Sequence, residues 1–340
     1  MNGATLPTIR EVARLAGVSV ATVSKALNDS GRVSEALRER VKAAARTLGY
    51  APHASARSLR SGTTRILGLL VADITNPFFL KLVEHIEQLA STAGYSVILC
   101  NSGEDAEREQ RHLKMLLSQR VDGILLIPVR DGWKGRVGAL SRLPQPLVLV
   151  DRMLDGVEAA SVTIDNGMAG RLAGEHLFQL GHRRVGVVMG SPEHQIARHR
   201  LDGFREAFAT NDFALNEQLI ARNCFNEEAA YRAVLSLLDR DERPTAVFAT
   251  NNHLALGLLR AVMDRGLAIP EALSVVAFDD LPFASIMRPG LTVVVQPSAA
   301  IAEAAVSGLL GRIAGRTAEN DTQAVVLTPR LVVRGSTATL

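Results

Sequence analysis

Two short amphipathic runs meet at a glycine near the start of the chain, and this confines its first part to a small bundle of helices. Thr8 followed by Glu11 is a capping-box pattern, after which Ile9, Val12, Ala13 and Ala16 recur at three- and four-residue spacing. Gly17 ends that helix. Ser19 caps a second, Val20 to Leu27, with Val23 and Leu27 facing inward and Val20, Ala21, Thr22, Ser24 and Lys25 facing outward. A tight turn between such helices needs small residues, which Ala13 and Gly17 supply. A third helix starts at the Ser34 cap, buries Leu37, Val41, Ala45 and Leu48, and stops at Gly49.

This is the pattern of a helix-turn-helix DNA reader, whose second helix enters the major groove with its first residues at base edges. Val20 and Ala21 can touch thymine methyls, and Lys25 can donate to guanine. Thr22, Ser24 and Asn28 suit phosphate oxygens, which fix register without reading sequence. Thr8 and Ser19, at the two helix starts, complete the candidate contacts of the head. A helical hairpin of other use would look similar in isolation. Charge favours the DNA reading: residues 1–65 hold eleven Lys/Arg against four Asp/Glu, whereas the remainder holds 27 against 31.

The segment from Pro52 to Ser61 carries one large apolar side chain, Leu59, between Arg57 and Arg60. Such a stretch can fold as a short helix in the DNA minor groove, with the leucine as a wedge between base steps. His53, Ala56, Arg57 and Leu59 are its candidate contacts. An interdomain linker with Leu59 packed on the body is the competing expectation.

From Arg65 onward, apolar strand-like runs alternate with amphipathic helices, first over residues 66–150 and again over 184–278. That alternation argues for parallel sheets with helices on both faces. The expected fold is a small all-α helix-turn-helix head plus an α/β body of two doubly wound parallel-sheet lobes. Its expected divisions are residues 1–51 for the head, 52–64 for a hinge and 65–340 for the body. Within the body, the first lobe takes about 65–163 plus 294–324, and the second about 164–293 plus 325–340. Ligands of open α/β sheets sit beyond the carboxyl ends of the strands, where polar residues gather here: Asp73 to Phe79, Asn101, Asp151-Arg152, Ser191 to Arg200, Phe225, Asn251 and Asp279-Asp280.

Several function classes are disfavoured. Cys100 and Cys224 fit no disulfide framework or zinc spacing, the start of the chain lacks the apolar core of a signal peptide, and no stretch is long enough to span a membrane. A cytoplasmic protein without cofactor, metal or membrane partner is expected. No P-loop, GxSxG, HExxH or strand-following GxGxxG is present, so no enzyme is expected.

Val18-Ser-Val-Ala-Thr-Val-Ser24, Gly49-Tyr-x-Pro52, Ala56-Arg-Ser-Leu59, Asp122-Gly123 and Ala277-Phe-Asp-Asp280 together resemble the lactose/galactose repressor (LacI/GalR) family of bacterial transcription regulators. The resemblance runs from Thr8 to Ser336 and implies a homodimer on near-palindromic double-stranded operator DNA, released by a small-molecule effector. It further implies a periplasmic-binding-protein-like body whose pocket is lined by Phe78, Phe79, Asp151, His194, Arg200, Phe225, Asn251 and Asp279. His194 and Ile196 stand where purine-binding members carry base-contacting groups, and Asn252-His253 replaces the usual Asn-Asp pair. A sugar, sugar acid or sugar phosphate fits these residues as effector. A repressor of sugar or sugar-acid catabolism genes follows, with a receptor lacking DNA function as the alternative. With no leucine heptad tail after the final strand, a dimer is expected rather than a tetramer.

Overall fold

The computed structural model describes residues 7–27, 33–50, 63–316 and 323–340. The chain divides into two compact units, Met1–Arg65 and Ile66–Leu340.

In the first unit, α1 (Ile9–Ala16), α2 (Val20–Leu27) and α3 (Glu35–Leu48) enclose Val12, Ala13, Ala16, Val23, Ala26, Val41, Ala44 and Ala45. The buried positions are valine and alanine, which lets the three helices approach closely, and Ile9, Leu48 and Tyr50 pack half-buried against them. Ala26 is fully buried while Leu27, expected inside, is half-buried at the rim. Gly17 and Gly49 end α1 and α3 at φ 62° and 64°, a conformation that costs a residue with a side chain about 1–2 kcal/mol. Val18 and Tyr50 then donate back to the Ala13 and Ala45 carbonyls at 3.0 and 2.9 Å, closing the helix ends. Asn28, His53, Ala56, Arg57 and Leu59 lie outside the described residues.

The second unit begins with β1 (Ile66–Val71), α4 (Pro77–Thr92), β2 (Ser96–Asn101), α5 (Ala106–Ser118), β3 (Gly123–Leu126), α6 (Arg136–Leu140), β4 (Leu147–Val150) and β5 (Ala160–Ile164). It continues with α7 (Asn166–Gln179), β6 (Val185–Val188), α8 (Gln195–Ala209), β7 (Ile220–Ala221), α9 (Glu227–Leu238), β8 (Ala246–Ala249), α10 (Asn252–Asp264), β9 (Ser274–Phe278) and β10 (Thr292–Val295). It closes with α11 (Ser298–Ile313), β11 (Ala324–Leu327) and β12 (Arg330–Val332). The strands form two six-stranded sheets, ordered β11-β5-β4-β3-β1-β2 and β12-β10-β9-β8-β6-β7. Among the described residues every pairing is parallel except β10 with β12. Strands β3, β4, β6, β8 and β9 are buried along their whole length, as expected of parallel strands covered by helices on both faces.

The chain passes between the lobes after β5, after β10 and after β11. Two of these passages differ from the expected divisions by a few residues. All of β10 belongs to the second sheet, with Thr292 paired to Val276, and β11 runs on to Leu327 in the first, with Val325 paired to Val162. Both segments are short apolar runs whose partners are set by long-range pairing, so local pattern does not say which sheet each joins.

In the second lobe α7 and α8 cross at glycines. A Cβ on Gly203 would sit 1.8 Å from the Gly167 carbonyl oxygen, so the two backbones are in contact. This close crossing seats the middle of α8, the helix that carries Arg200.

Candidate binding cleft and nucleic-acid interface

A cavity of about 520 Å3 lies between the lobes, within the usual range of small-molecule sites. Its walls are built from strand ends. In the first lobe, β4 hands on to Asp151 at φ 67°, whose N–H donates to the Val162 carbonyl at 2.9 Å. In the second, β9 hands on to Asp279 at φ 68°, whose N–H donates to the Val294 carbonyl at 2.8 Å. Each lobe thus presents one aspartate, turned into the cleft by the same left-handed step and held by the neighbouring strand. Aspartate tolerates that conformation better than most residues.

A guanidinium stands beside each carboxylate, buried for Arg200 and half-buried for Arg152. Arg200 on α8 donates from Nε to Asn166 Oδ1 at 2.8 Å and from Nη1 to the Thr250 carbonyl at 2.7 Å, with its plane 3.4 Å from the Phe278 ring centre. Arg152 donates from Nη1 to the Pro128 carbonyl at 2.7 Å and engages Glu104 with both terminal nitrogens, at 3.1 and 2.7 Å. Burial governs the titration of this group of charges. It raises the Asp279 carboxyl to about 7, against the opposing pull of Arg200 and of Gln296, which donates to Asp279 Oδ1 at 2.9 Å. It raises the Asp151 carboxyl as well, opposed by Arg152 and Arg200, and lowers the Arg200 guanidinium to about 10.

Asn76 and Asn251 sit at helix starts on opposite sides of the cleft. Asn76 Oδ1 accepts from Phe78 N–H at 2.9 Å, capping α4, and Asn251 Oδ1 accepts from Leu254 N–H at 3.0 Å, capping α10. The two helix starts are tied together. Asn252 Nδ2 donates to Asn76 Oδ1 at 2.6 Å, and His253 Nε2 lies 3.1 Å from Asp73 Oδ2. The His253 contact, with further hydrogen bonds from Thr75, holds the Asp73 carboxyl far below the usual range.

Of the eight residues expected to bind an effector, Phe78, Phe79, Asp151, His194, Arg200, Asn251 and Asp279 line this cavity. Phe225 does not. It is 49% exposed on the loop before α9, because the adjacent Cys224 takes the inward position at 3% exposure. Glu104, Arg152, Gln296 and the Asp73-His253 pair are cleft residues beyond those expected. Arg152 was legible, since it adjoins a strand-end aspartate. Gln296 follows the apolar run Val293 to Val295, and recognising that run as a strand would have flagged it.

The cleft can bind a polyol. Carboxyl oxygens at 151 and 279 accept from hydroxyls, guanidinium and amide groups donate, and the Phe78 and Phe79 rings offer an apolar face. In the first unit, Val20, Ala21 and Lys25 are exposed along α2, while Thr22 and Ser24 are half-buried. Ser19 Oγ accepts from Thr22 N–H at 3.1 Å and so caps α2. The Thr8 N–H and hydroxyl both donate to the Glu11 carboxylate, at 2.7 and 2.9 Å, so Thr8 secures the start of α1.

Comparison with known proteins brings both units together. Residues 8–53 match the bacterial regulatory proteins of the lacI family, and residues 175–337 match the periplasmic binding protein-like domain. The chain is 34% identical to the ribose operon repressor of Haemophilus influenzae over 331 residues, covering 97% of this chain and 98% of that protein. It is 34% identical to the HTH-type transcriptional repressor PurR of Proteus mirabilis, covering 98% of this chain and 97% of that one. Among solved structures, the lac repressor dimer bound to operator and the anti-inducer ONPF aligns with a TM-score of 0.86 at 27% identity, covering 98% of this chain and all of that one.

Proposed function

The chain belongs to the lacI family of bacterial regulatory proteins, and from that premise we propose how its two units divide the work. The protein is a DNA-binding transcriptional repressor. Its head grips a near-palindromic operator as one half of a homodimer, with Val20, Ala21 and Lys25 at base edges and Ser19, Thr22, Ser24 and Asn28 at phosphates. Leu59, with His53, Ala56 and Arg57 beside it, enters the minor groove. The cleft between the lobes takes a small sugar-like effector. The paired strand-end aspartates, one from each lobe, carry this reading, because they accept hydroxyl hydrogens from opposite sides of one cavity.

Effector contacts made by both lobes favour one angle between them over others. A change of that angle in each subunit alters the spacing of the two segments 52–64 and lowers operator affinity. A coupling of about 1–3 kcal/mol corresponds to roughly 5- to 150-fold in affinity. Relatives of this chain carry the name ribose operon repressor, so ribose is the first sugar to test. Thermal-shift screening of the full chain against aldoses, their acids and their phosphates identifies the effector, and anisotropy titration of operator duplex with and without it measures the coupling. A ligand that binds the cleft and leaves operator affinity unchanged would contradict the regulatory reading; failure to bind any duplex at low salt would favour a receptor without DNA function.

A further inference from the structure

We propose that Glu104 decides the charge of the effector, by occupying the Arg152 guanidinium so that the cleft takes a neutral polyol and refuses a sugar phosphate or sugar acid. The inference rests on the effector reading of the cleft. Guanidinium groups recognise phosphate and carboxylate by offering a pair of N–H bonds along one edge. Arg152 spends its end-on pair, one N–H from each terminal nitrogen, on Glu104, and Arg200 has two of its five N–H donors engaged. Arg152 gives both terminal nitrogens to the two Glu104 oxygens and one of them also to the Pro128 carbonyl, while its Nε lies 3.7 Å from Asp151 Oδ2. Arg200 gives Nε to Asn166 and Nη1 to the Thr250 carbonyl, and its face rests on Phe278.

Glu104 is built to hold that position. Its backbone stands in the left-handed region at φ 58°, its N–H donates to the Ala72 carbonyl at 2.7 Å, and its Oε2 accepts from the Arg130 N–H at 3.0 Å. The Arg130 side chain also pairs with it, at 3.5 Å. Burial works to raise the Glu104 carboxyl, yet the two arginines outweigh burial and leave it below the ordinary range. An anion entering the floor would meet the Glu104 carboxylate beside Asp151 and Asp279, with the end-on edge of Arg152 already committed. A hydroxyl group meets no such penalty, because it can donate to any of the three carboxyls. Charge is thus cancelled within the wall before a ligand arrives.

The test uses the full chain, Glu104→Gln and the charge-preserving Glu104→Asp, with D-ribose, D-ribose 5-phosphate and inorganic phosphate as probes in calorimetry and thermal shift. Wild type is expected to give no saturable response to inorganic phosphate and to prefer the neutral sugar. Glu104→Gln is expected to gain saturable phosphate binding and to move the sugar-phosphate to sugar affinity ratio by about tenfold, the size of one charge-assisted hydrogen bond. Glu104→Asp should retain the wild-type preference, which separates charge from a purely structural contribution. Saturable phosphate binding by wild type, or an unchanged preference in a Glu104→Gln protein that melts normally and binds operator, overturns the proposal. Should the Gln variant fail to fold, Glu104→Asn, whose residue tolerates the left-handed backbone, replaces it with the same expected gain and the same overturning result. Failure of every sugar to bind counts against the effector reading, whereas the phosphate arm reads the charge claim separately.

Discussion

Gly170 and Arg200 touch through their backbones: a Cβ built on the glycine would lie 1.8 Å from the arginine carbonyl oxygen. The helix that carries a buried cleft guanidinium is therefore seated directly on the neighbouring helix. Gly170→Ala forces the two apart, and forced overpacking of this kind costs about 1–3 kcal/mol. A lower melting temperature together with weakened effector binding is expected, measured by calorimetry on the full chain. Unchanged melting would show that the crossing relaxes freely.

Asp279 makes the protein's stability depend on pH in a direction opposite to an ordinary salt-bridged carboxylate. Its carboxyl is raised to about 7 in the fold, chiefly by burial, so the folded state holds a proton that the unfolded chain releases near pH 4. This group's contribution to stability is present below pH 4 and is lost as pH rises through about 7. Asp279→Asn should flatten that dependence, so that it melts higher than wild type at pH 8 while losing effector response. Thermal scans from pH 5 to 8 check the slope, and a steeper decline in the variant would refute the assignment.

Effector binding should displace the same proton. A hydroxyl donating to Asp279 favours the ionised form, so binding near pH 6.5 releases protons and affinity rises toward pH 8. Calorimetry in buffers of different ionisation enthalpy measures the release. Equal heats in all buffers would exclude Asp279 from direct hydroxyl contact.

The bridge from Asp73 to His253 ties the lobes in this arrangement, and both side chains are only half-buried. Its loss in His253→Ala should weaken effector binding roughly fivefold, about 1 kcal/mol for one hydrogen bond near a surface. A double-mutant cycle with Asp73→Asn isolates the pair. Additive losses would mean that the contact contributes nothing to closure.

On the head, exposed Lys25 should act on specificity more than on grip. Lys25→Ala is expected to cost about 1–3 kcal/mol on operator and much less on random duplex. Competition anisotropy gives the ratio, and equal losses on both DNAs would make it a phosphate contact.

The sequence pattern exposed the strands of residues 66–150 and 184–278, but not β5, β10, β11 or β12, and it exposed the cleft incompletely. Runs such as Leu147 to Val150 announce buried parallel strands, and residues one step beyond them, Asp151 and Asp279, were readable as cleft groups from position alone. Glu104 was not readable in this way. It occupies the turn before α5, and its partner Arg152 is 48 residues away, so only the folded sheet order brings them together. Phe225 shows the opposite failure. The resemblance implied a pocket position for it, but on the loop before α9 Cys224 took the interior and left Phe225 exposed.

Three passages of the chain between the lobes leave their relative movement little freedom. Links at three points resist sliding of one lobe past the other, while permitting the halves to swing as a book does on its spine. A molecule that props the pages at a given gape therefore sends one scalar message, an angle, to everything attached to the covers. Substitutions in the tethers would alter how far the pages swing without touching a single group that meets the guest.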